Sequence, residues 1–220
     1  GKTVSLAKTA DAADAANDDG VILNLTDSVD SADDTINVTL NGVGTATSAN
    51  GGYDTLGVAA YETVNITANK SAAAAAPNEI INLVVGASTS SINIDGTGNF
   101  TTALGTGAKV TSVDASGLAG ALVLTASAAN ATYKMGGASS TLTMAGTLNS
   151  KDTIVGGAGV ADTVTATVAG MSPLLGTSAV NISDVERIYL TTSAANTIDM
   201  SAVTGAYTLA VTDNKQTITG

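Results

Sequence analysis

The residues in this sequence with the most chemistry to offer are carboxylates set beside glycines. The run Asp152-Thr153-Ile154-Val155-Gly156-Gly157-Ala158-Gly159-Val160-Ala161-Asp162-Thr163-Val164 reads as Asp-x-apolar-x-Gly-Gly-x-Gly followed by a second Asp-x-apolar. Calcium takes roughly six to eight oxygen ligands in flexible geometry. Glycine turns can aim several carbonyl oxygens inward without a side-chain clash, and ionised Asp side chains neutralise the cation. Asp152, Gly156, Gly157, Gly159 and Asp162 are therefore the leading candidate Ca2+ ligands. Asp34, Asp54, Asp95, Asp114 and Asp199 each stand at a strand-to-turn junction and form a second group of candidates. Their competing role is the Asx turn, in which the carboxylate accepts a backbone N–H two residues on. Asn17-Asp18-Asp19-Gly20 has the same flavour but lacks the Glu that a helical calcium loop needs.

Other chemistries are closed by composition. The chain contains neither His nor Cys, which removes the commonest general base, thiolate nucleophile and transition-metal ligands. A paired-carboxylate glycoside hydrolase needs aromatic platforms and clustered charge. Here five Tyr are scattered along the chain and Arg187 is the only arginine, so the expectation is no enzymatic activity. The net charge of −11 and a pI near 4.1 leave no basic face for nucleic acid. Of the 19 acids only Glu62, Glu79 and Glu186 are Glu, a bias toward turns and oxygen-ligand sites. No stretch is long and apolar enough to span or insert into a membrane. The start, Gly1-Lys2-Thr3-Val4, has no signal-peptide-like run, and the expectation is a fragment or processed product.

The elements that would position these acids read as strands. Val21–Leu25, Ile36–Leu40, Val64–Thr67, Ile80–Val85, Ser91–Ile94, Ala121–Thr125 and Arg187–Thr191 alternate in polarity over a few residues between Gly, Asn, Asp or Ser. About a dozen such runs predict an all-β chain of short strands. Only 3% of residues are aromatic, too few for a thick core, so Val, Ile, Leu and Ala must pack in thin layers. Phrases also recur. Asp-Thr-apolar appears at Asp34, Asp54, Asp152 and Asp162, and Glu-x-apolar-x-apolar-Thr at Glu62 and Glu186. Val-Asp114-Ala-Ser116 and Ile-Asp199-Met-Ser201 are each followed by a Gly-Ala pair, Gly120-Ala121 and Gly205-Ala206. Such internal similarity predicts stacked coils, and the uneven spacing predicts irregular ones. The expected architecture is an elongated β-solenoid of the parallel β-helix or β-roll kind. It divides into an acidic Ala/Asp-rich segment at 1–20, a first solenoid part at 21–145, and a second at 146–220 that continues beyond the fragment. The Asn-x-Ser/Thr sequons at Asn24, Asn37, Asn65 and Asn181 are read as polar strand faces.

The Asp152–Val164 run resembles the glycine/aspartate nonapeptide of RTX proteins, Gly-Gly-x-Gly-x-Asp-x-apolar-x, which forms a calcium-binding parallel β-roll. It departs from that pattern by one extra residue before Asp162 and occurs once. The wider chain, with phrases such as Ile182-Ser183-Asp184-Val185-Glu186-Arg187-Ile188-Tyr189-Leu190-Thr191, resembles the surface-layer (S-layer) branch of the same group. That resemblance implies calcium-dependent folding and export by a type I secretion system. It also implies an extracellular place on a bacterial surface, and assembly with copies of itself, a homo-oligomer forming a two-dimensional lattice. Cell-surface polysaccharide is a further partner. The alternative is a calcium-dependent module of a large secreted adhesin that binds a glycan or a host surface.

Overall fold

A computed structural model describes residues 2–7, 22–24, 33–41, 53–70, 78–105, 108–127, 129–144, 148, 151–167, 181–191, 197–212 and 217–220. Among these residues it contains twenty short strands and no helix. Sheet A has nine strands: β1 (Lys2–Ala7), β3 (Thr35–Asn41), β5 (Thr63–Asn69), β7 (Ser91–Gly96), β9 (Ser112–Leu118), β11 (Thr132–Lys134), β13 (Thr153–Val155), β15 (Asn181–Ser183) and β18 (Val203–Thr204). Sheet B has nine others: β2 (Ile22–Asn24), β4 (Tyr53–Gly57), β6 (Asn78–Val84), β8 (Phe100–Leu104), β10 (Leu122–Thr125), β12 (Thr141–Thr143), β14 (Thr163–Thr167), β16 (Arg187–Thr191) and β19 (Thr208–Val211). A third face begins where β17 (Thr197–Asp199) pairs with β20 (Thr217–Thr219).

Every pairing is parallel and joins a strand to its equivalent one coil away, as in β3 with β5 and β12 with β14. The chain therefore runs along sheet A, turns, returns along sheet B and starts the next coil. This is the stacked, parallel all-β architecture expected of a β-solenoid. Coil lengths are uneven. Equivalent residues lie 28 apart between Asn37, Asn65 and Asn93, 21 apart between Ser90 and Thr111, and 20 apart between Asp114 and Lys134. Both ladders continue across residues 145 and 146, since β11 pairs with β13 and β12 with β14.

The alternation in the sequence explains the core. β3 and β5 both run half-buried, buried, half-buried along their length, because successive side chains point to opposite faces. Parallel register stacks the inward residues into columns. On sheet A one column runs Ile36, Val64, Ile92, Val113, Tyr133, Ile154, Ile182. Its sheet B counterpart runs Thr102, Leu124, Leu142, Val164, Ile188. Nearly all of these side chains are buried, each apolar one contributing about 1.5–3 kcal/mol. Few aromatics are needed, and Phe100, Tyr61 and Tyr133 are the largest buried side chains.

Polar columns form on the outside of sheet A. The Asn93 amide donates to Asn65 Oδ1 and the Asn65 amide to Asn37 Oδ1, each at 2.8 Å. Asn69 donates to Asn41 Oδ1 in the same manner at 3.3 Å. Asn37 and Asn65, two of the sequon residues, thus serve as an outward strand ladder.

The inner columns contain two polar exceptions. Thr102 Oγ1 is buried without a hydrogen-bond partner, and the buried Tyr133 hydroxyl faces Ser127. An unsatisfied buried hydroxyl costs about 1–3 kcal/mol. Thr102→Val, which keeps the shape and deletes the orphan hydroxyl, is expected to raise the unfolding free energy by about 1 kcal/mol. A urea titration of the two proteins measures this, and a loss of stability in the Val variant would show that the hydroxyl is satisfied.

Candidate functional site

Each coil has two edges. Sheet A strands begin at the first edge and end at the second, where sheet B strands begin. The residue immediately before a strand sits outside the regular ladder, so its N–H must find another acceptor or lie unsatisfied. Asp34, Asp152 and Asp162 of the Asp-Thr phrase and Glu62 and Glu186 of the Glu phrase occupy this position, whereas Asp54 lies within β4.

At the first edge, Glu62 precedes β5 and stands over Asp34, which precedes β3. Glu62 Oε2 accepts the Asp34 N–H at 2.8 Å, while the Asp34 carbonyl accepts the Glu62 N–H at 3.0 Å. Further along the same edge, Asp152 precedes β13, and its Oδ1 accepts the Ala131 N–H at 3.0 Å. At the second edge, Asp162 precedes β14. Its Oδ1 accepts the Ser140 N–H at 2.7 Å and its Oδ2 the Gly157 N–H at 2.8 Å. Glu186, before β16, repeats the arrangement one coil later and accepts the Asp162 N–H at 2.8 Å. Ser140 and Asn99 act in the same column, accepting the N–H groups of Leu122 and Ala121. The Asp-Thr and Glu phrases are thus a capping system between coils.

Asp152 and Asp162 are both fully buried. They share a coil but lie at its opposite edges, so the two are not brought together. Burial pushes the Asp162 carboxyl above its ordinary range; the Ser140 and Gly157 N–H groups pull it down, and the nearby Glu186 charge pushes it up again. Asp152 also acts on the core: burial, joined by the Asp152 charge and only partly offset by Ser127, raises the Tyr133 hydroxyl to about 12.

The glycines of the motif form the turn between β13 and β14. A Cβ on Gly156 would strike the carbonyl of Asp184 in the following coil, and one on Gly157 the carbonyl of Gly136 in the preceding coil. Gly159 lies against the backbone of Ala138 and Ser139, with a Cβ there 2.8 Å from both. These glycines allow three successive turns to stack backbone on backbone. Asp184 completes the fit by adopting a left-handed conformation, φ 55°, which Asp tolerates better than most residues.

Asp95, Asp114 and Asp199 lie on strands away from this turn. Asp114 lies on β9, where it accepts the Ser116 N–H and hydroxyl and pairs with Lys134 at 2.7 Å. Burial works upward on Asp114, but Lys134 and Ser116 outweigh it and hold the carboxyl below its ordinary range. Asp199 makes the same turn, accepting the Ser201 N–H at 2.9 Å, and this hydrogen bond holds it low. The two matched phrases therefore share an Asx turn. Asp95 is exposed at the bulge where β7 meets Gly117. Asp54 lies in β4, and its side chain is outside the described residues. Among the described residues, no three Asp or Glu side chains are grouped to hold a metal.

No family model, curated protein or solved structure matches this chain. The site is accordingly read from its own geometry. Sequence reasoning picked out Asp34, Asp152 and Asp162 but missed Glu62 and Glu186 as their stacking partners. The missed signal was positional, since each Glu stands one residue before its strand, where the Asp of the Asp-Thr phrase stands.

Two outcomes follow. Asp162→Ala strands the buried Ser140 N–H and the half-buried Gly157 N–H and should lower stability by about 3 kcal/mol. Asp162→Asn, which can still accept one of them, should lose about half as much. Because the folded carboxyl titrates above its unfolded value of 3.8, its contribution is fully present below that value and is lost as pH rises through the folded one. The wild type should therefore gain stability relative to Asp162→Asn on going from neutral pH toward the carboxylate range. Urea midpoints at several pH values would reveal this, and parallel curves would refute it. Separately, Gly157→Ala should cost about 3 kcal/mol or more. Gly105→Ala, where an added Cβ meets nothing within 4 Å, should stay within about 0.5 kcal/mol of wild type.

Proposed function

We propose that this chain is a non-enzymatic structural segment of a bacterial surface layer, a β-solenoid exported to the cell exterior whose coil edges are stiffened by Ca2+. The observation that carries this reading is the stacking of Asp162 beneath Glu186 at one edge, with the Asp34 and Glu62 pair repeating it at the other. Carboxylates one coil apart repel each other in a chain of net charge −11. A divalent cation beside such a pair relieves that repulsion, and Ca2+ accepts carboxylate and carbonyl oxygens together. The carbonyls of the Gly156–Gly159 turn lie at the same edge as Asp162 and Glu186. A rod whose two flat faces carry short polar side chains at strand spacing suits a repeating role. Copies of the chain would then meet as lattice neighbours. The resemblance of the Asp152–Val164 run to RTX repeats points the same way, with type I secretion as the route out. The second reading, a calcium-dependent module of a large adhesin, draws on the same edges and differs in acting as a monomer on a surface ligand.

The decisive measurement is thermal unfolding of the purified chain with Ca2+ and with excess chelator, alongside light scattering. Calcium should raise Tm by about 10 °C or more, which for a chain of this length corresponds to about 3 kcal/mol or more, and it should drive assembly into arrays. An unchanged Tm in chelator would remove calcium from the proposal. A calcium-stabilised chain that stays monomeric would favour the adhesin module.

A further inference from the structure

The outward positions of sheet A form a two-dimensional array. From β3 through β5 to β7 the register holds, so equivalent side chains stand one above another at a strand spacing of about 4.8 Å. The column nearest the first edge is Thr35, Thr63 and Ser91, and hydroxyl residues continue it through Ser112, Thr132 and Thr153. The middle column is Asn37, Asn65 and Asn93, and beyond it stand Thr39 and Thr67. β1 adds Thr3 and Ser5 in register with Asn37 and Thr39. Charges border this array. Asp34 and Glu62 precede their strands, Lys70 follows β5, and Asp95 lies near the end of β7. Lys2 lies over the Tyr61 ring. Past β7 the middle column becomes charged, with Asp114 paired to Lys134.

The middle column is fixed by its own hydrogen bonds. Asn93 donates to Asn65 and Asn65 to Asn37, and Asn37 donates to the Lys2 carbonyl at 3.5 Å. A primary amide has two N–H donors and two acceptor lone pairs, so Asn65 keeps one of each beyond the ladder. Side-chain ladders of this kind hold neighbouring strands against the usual twist of a sheet. The array is therefore ordered and neutral, and it repeats at about 4.8 Å across the strands and about 6.7 Å along them.

A ligand that uses such a surface must itself be neutral and periodic in two directions. Protein partners anchor on Trp, Tyr and Arg and rarely on Ser or Thr, and among the described residues sheet A exposes no large apolar side chain. Water joined tetrahedrally by O–H···O bonds of about 2.75 Å repeats at about 4.5 Å between next-nearest oxygens, and at about 7.3 Å along the axis of hexagonal ice. The array departs from those repeats by about 0.3 Å per coil and about 0.6 Å per step along a strand. From β3 to β7 the departure across the coils grows only to about 0.6 Å. Hydroxyl hydrogens rotate to suit their partners, which absorbs a mismatch of this size.

We propose that the outer face of sheet A from β1 to β7 binds ice, by ordering a layer of water that the crystal surface takes up as its own. No cation takes part, so this inference stands or falls apart from the surface-layer reading.

The test is partition of the purified chain into slowly grown ice in calcium-containing buffer, with nanolitre osmometry of the same samples. Wild type should enter the ice and hold back its growth below the melting point, whereas serum albumin is excluded. Thr63→Lys, which sets a charge within the array, and Thr67→Tyr, which raises a ring out of its plane, should each abolish both effects. Thr143→Lys on sheet B should leave them unchanged, and urea midpoints should show all three variants folded. Exclusion of the wild type from ice overturns the proposal by itself. So does activity that survives both sheet A substitutions, or that Thr143→Lys abolishes equally. A wild-type dimer that Thr63→Lys dissociates, with no effect on ice, overturns it in favour of a second copy on this face. If Thr63→Lys proves unfolded, the Thr67→Tyr result decides alone.

Discussion

Where the backbone enters a strand, its N–H lies just beyond the reach of the sheet ladder, and the whole solenoid depends on finding it an acceptor. Parallel strands satisfy one another only along their length. At the entry point, coil stacking brings up another turn whose own polar groups are already committed. The molecule resolves this with side chains from the neighbouring coil, as Glu62 does for Asp34 and Glu186 for Asp162. Because the acceptor and the donor belong to different coils, each such hydrogen bond also fixes the height of one coil over the next.

The fold was legible to the extent that polarity alternates. Ile36-Asn37-Val38-Thr39-Leu40 and Val64-Asn65-Ile66-Thr67 announce strands with one buried face, and those segments are β3 and β5. Sheet membership was not legible, because alternation looks the same on either face. Thus the repeated order of Asp-Thr and Glu phrases over 34–67 and 152–191 conceals a difference. The first Glu stacks on its Asp at the start of a sheet A strand, and the second does so at the start of a sheet B strand. The pairing was in the sequence, but the edge at which it occurs depends on how many residues each turn consumes.

The candidate site shows a different kind of opacity. An Asp before a strand is equally suited to accepting N–H groups and to holding a cation, and residue type does not separate the roles. At Asp162 both carboxylate oxygens accept backbone N–H groups, so the hydrogen-bonding role is filled. At Asp114 a lysine on the adjacent strand, Lys134, supplies the positive charge. The glycines present a parallel case. A Gly-Gly-x-Gly run signals a turn, yet Gly156 and Gly157 are required because carbonyls of the coils on either side occupy the space a side chain would need. That demand comes from residues 21 positions back and 28 positions on, Gly136 and Asp184, beyond what a local motif can express.

The uneven coils carry a consequence of their own. Spacings of 28 and 20 residues occur within one stack, yet the strands on both faces keep their parallel pairing. The difference in length falls between the strands and not within the ladders. Loop length and face geometry are therefore decoupled: segments can be inserted or trimmed at the rim without moving any residue of the planar surfaces. Such a scaffold can diversify its margins freely while the spacing displayed on its flat sides is conserved by the ladder alone.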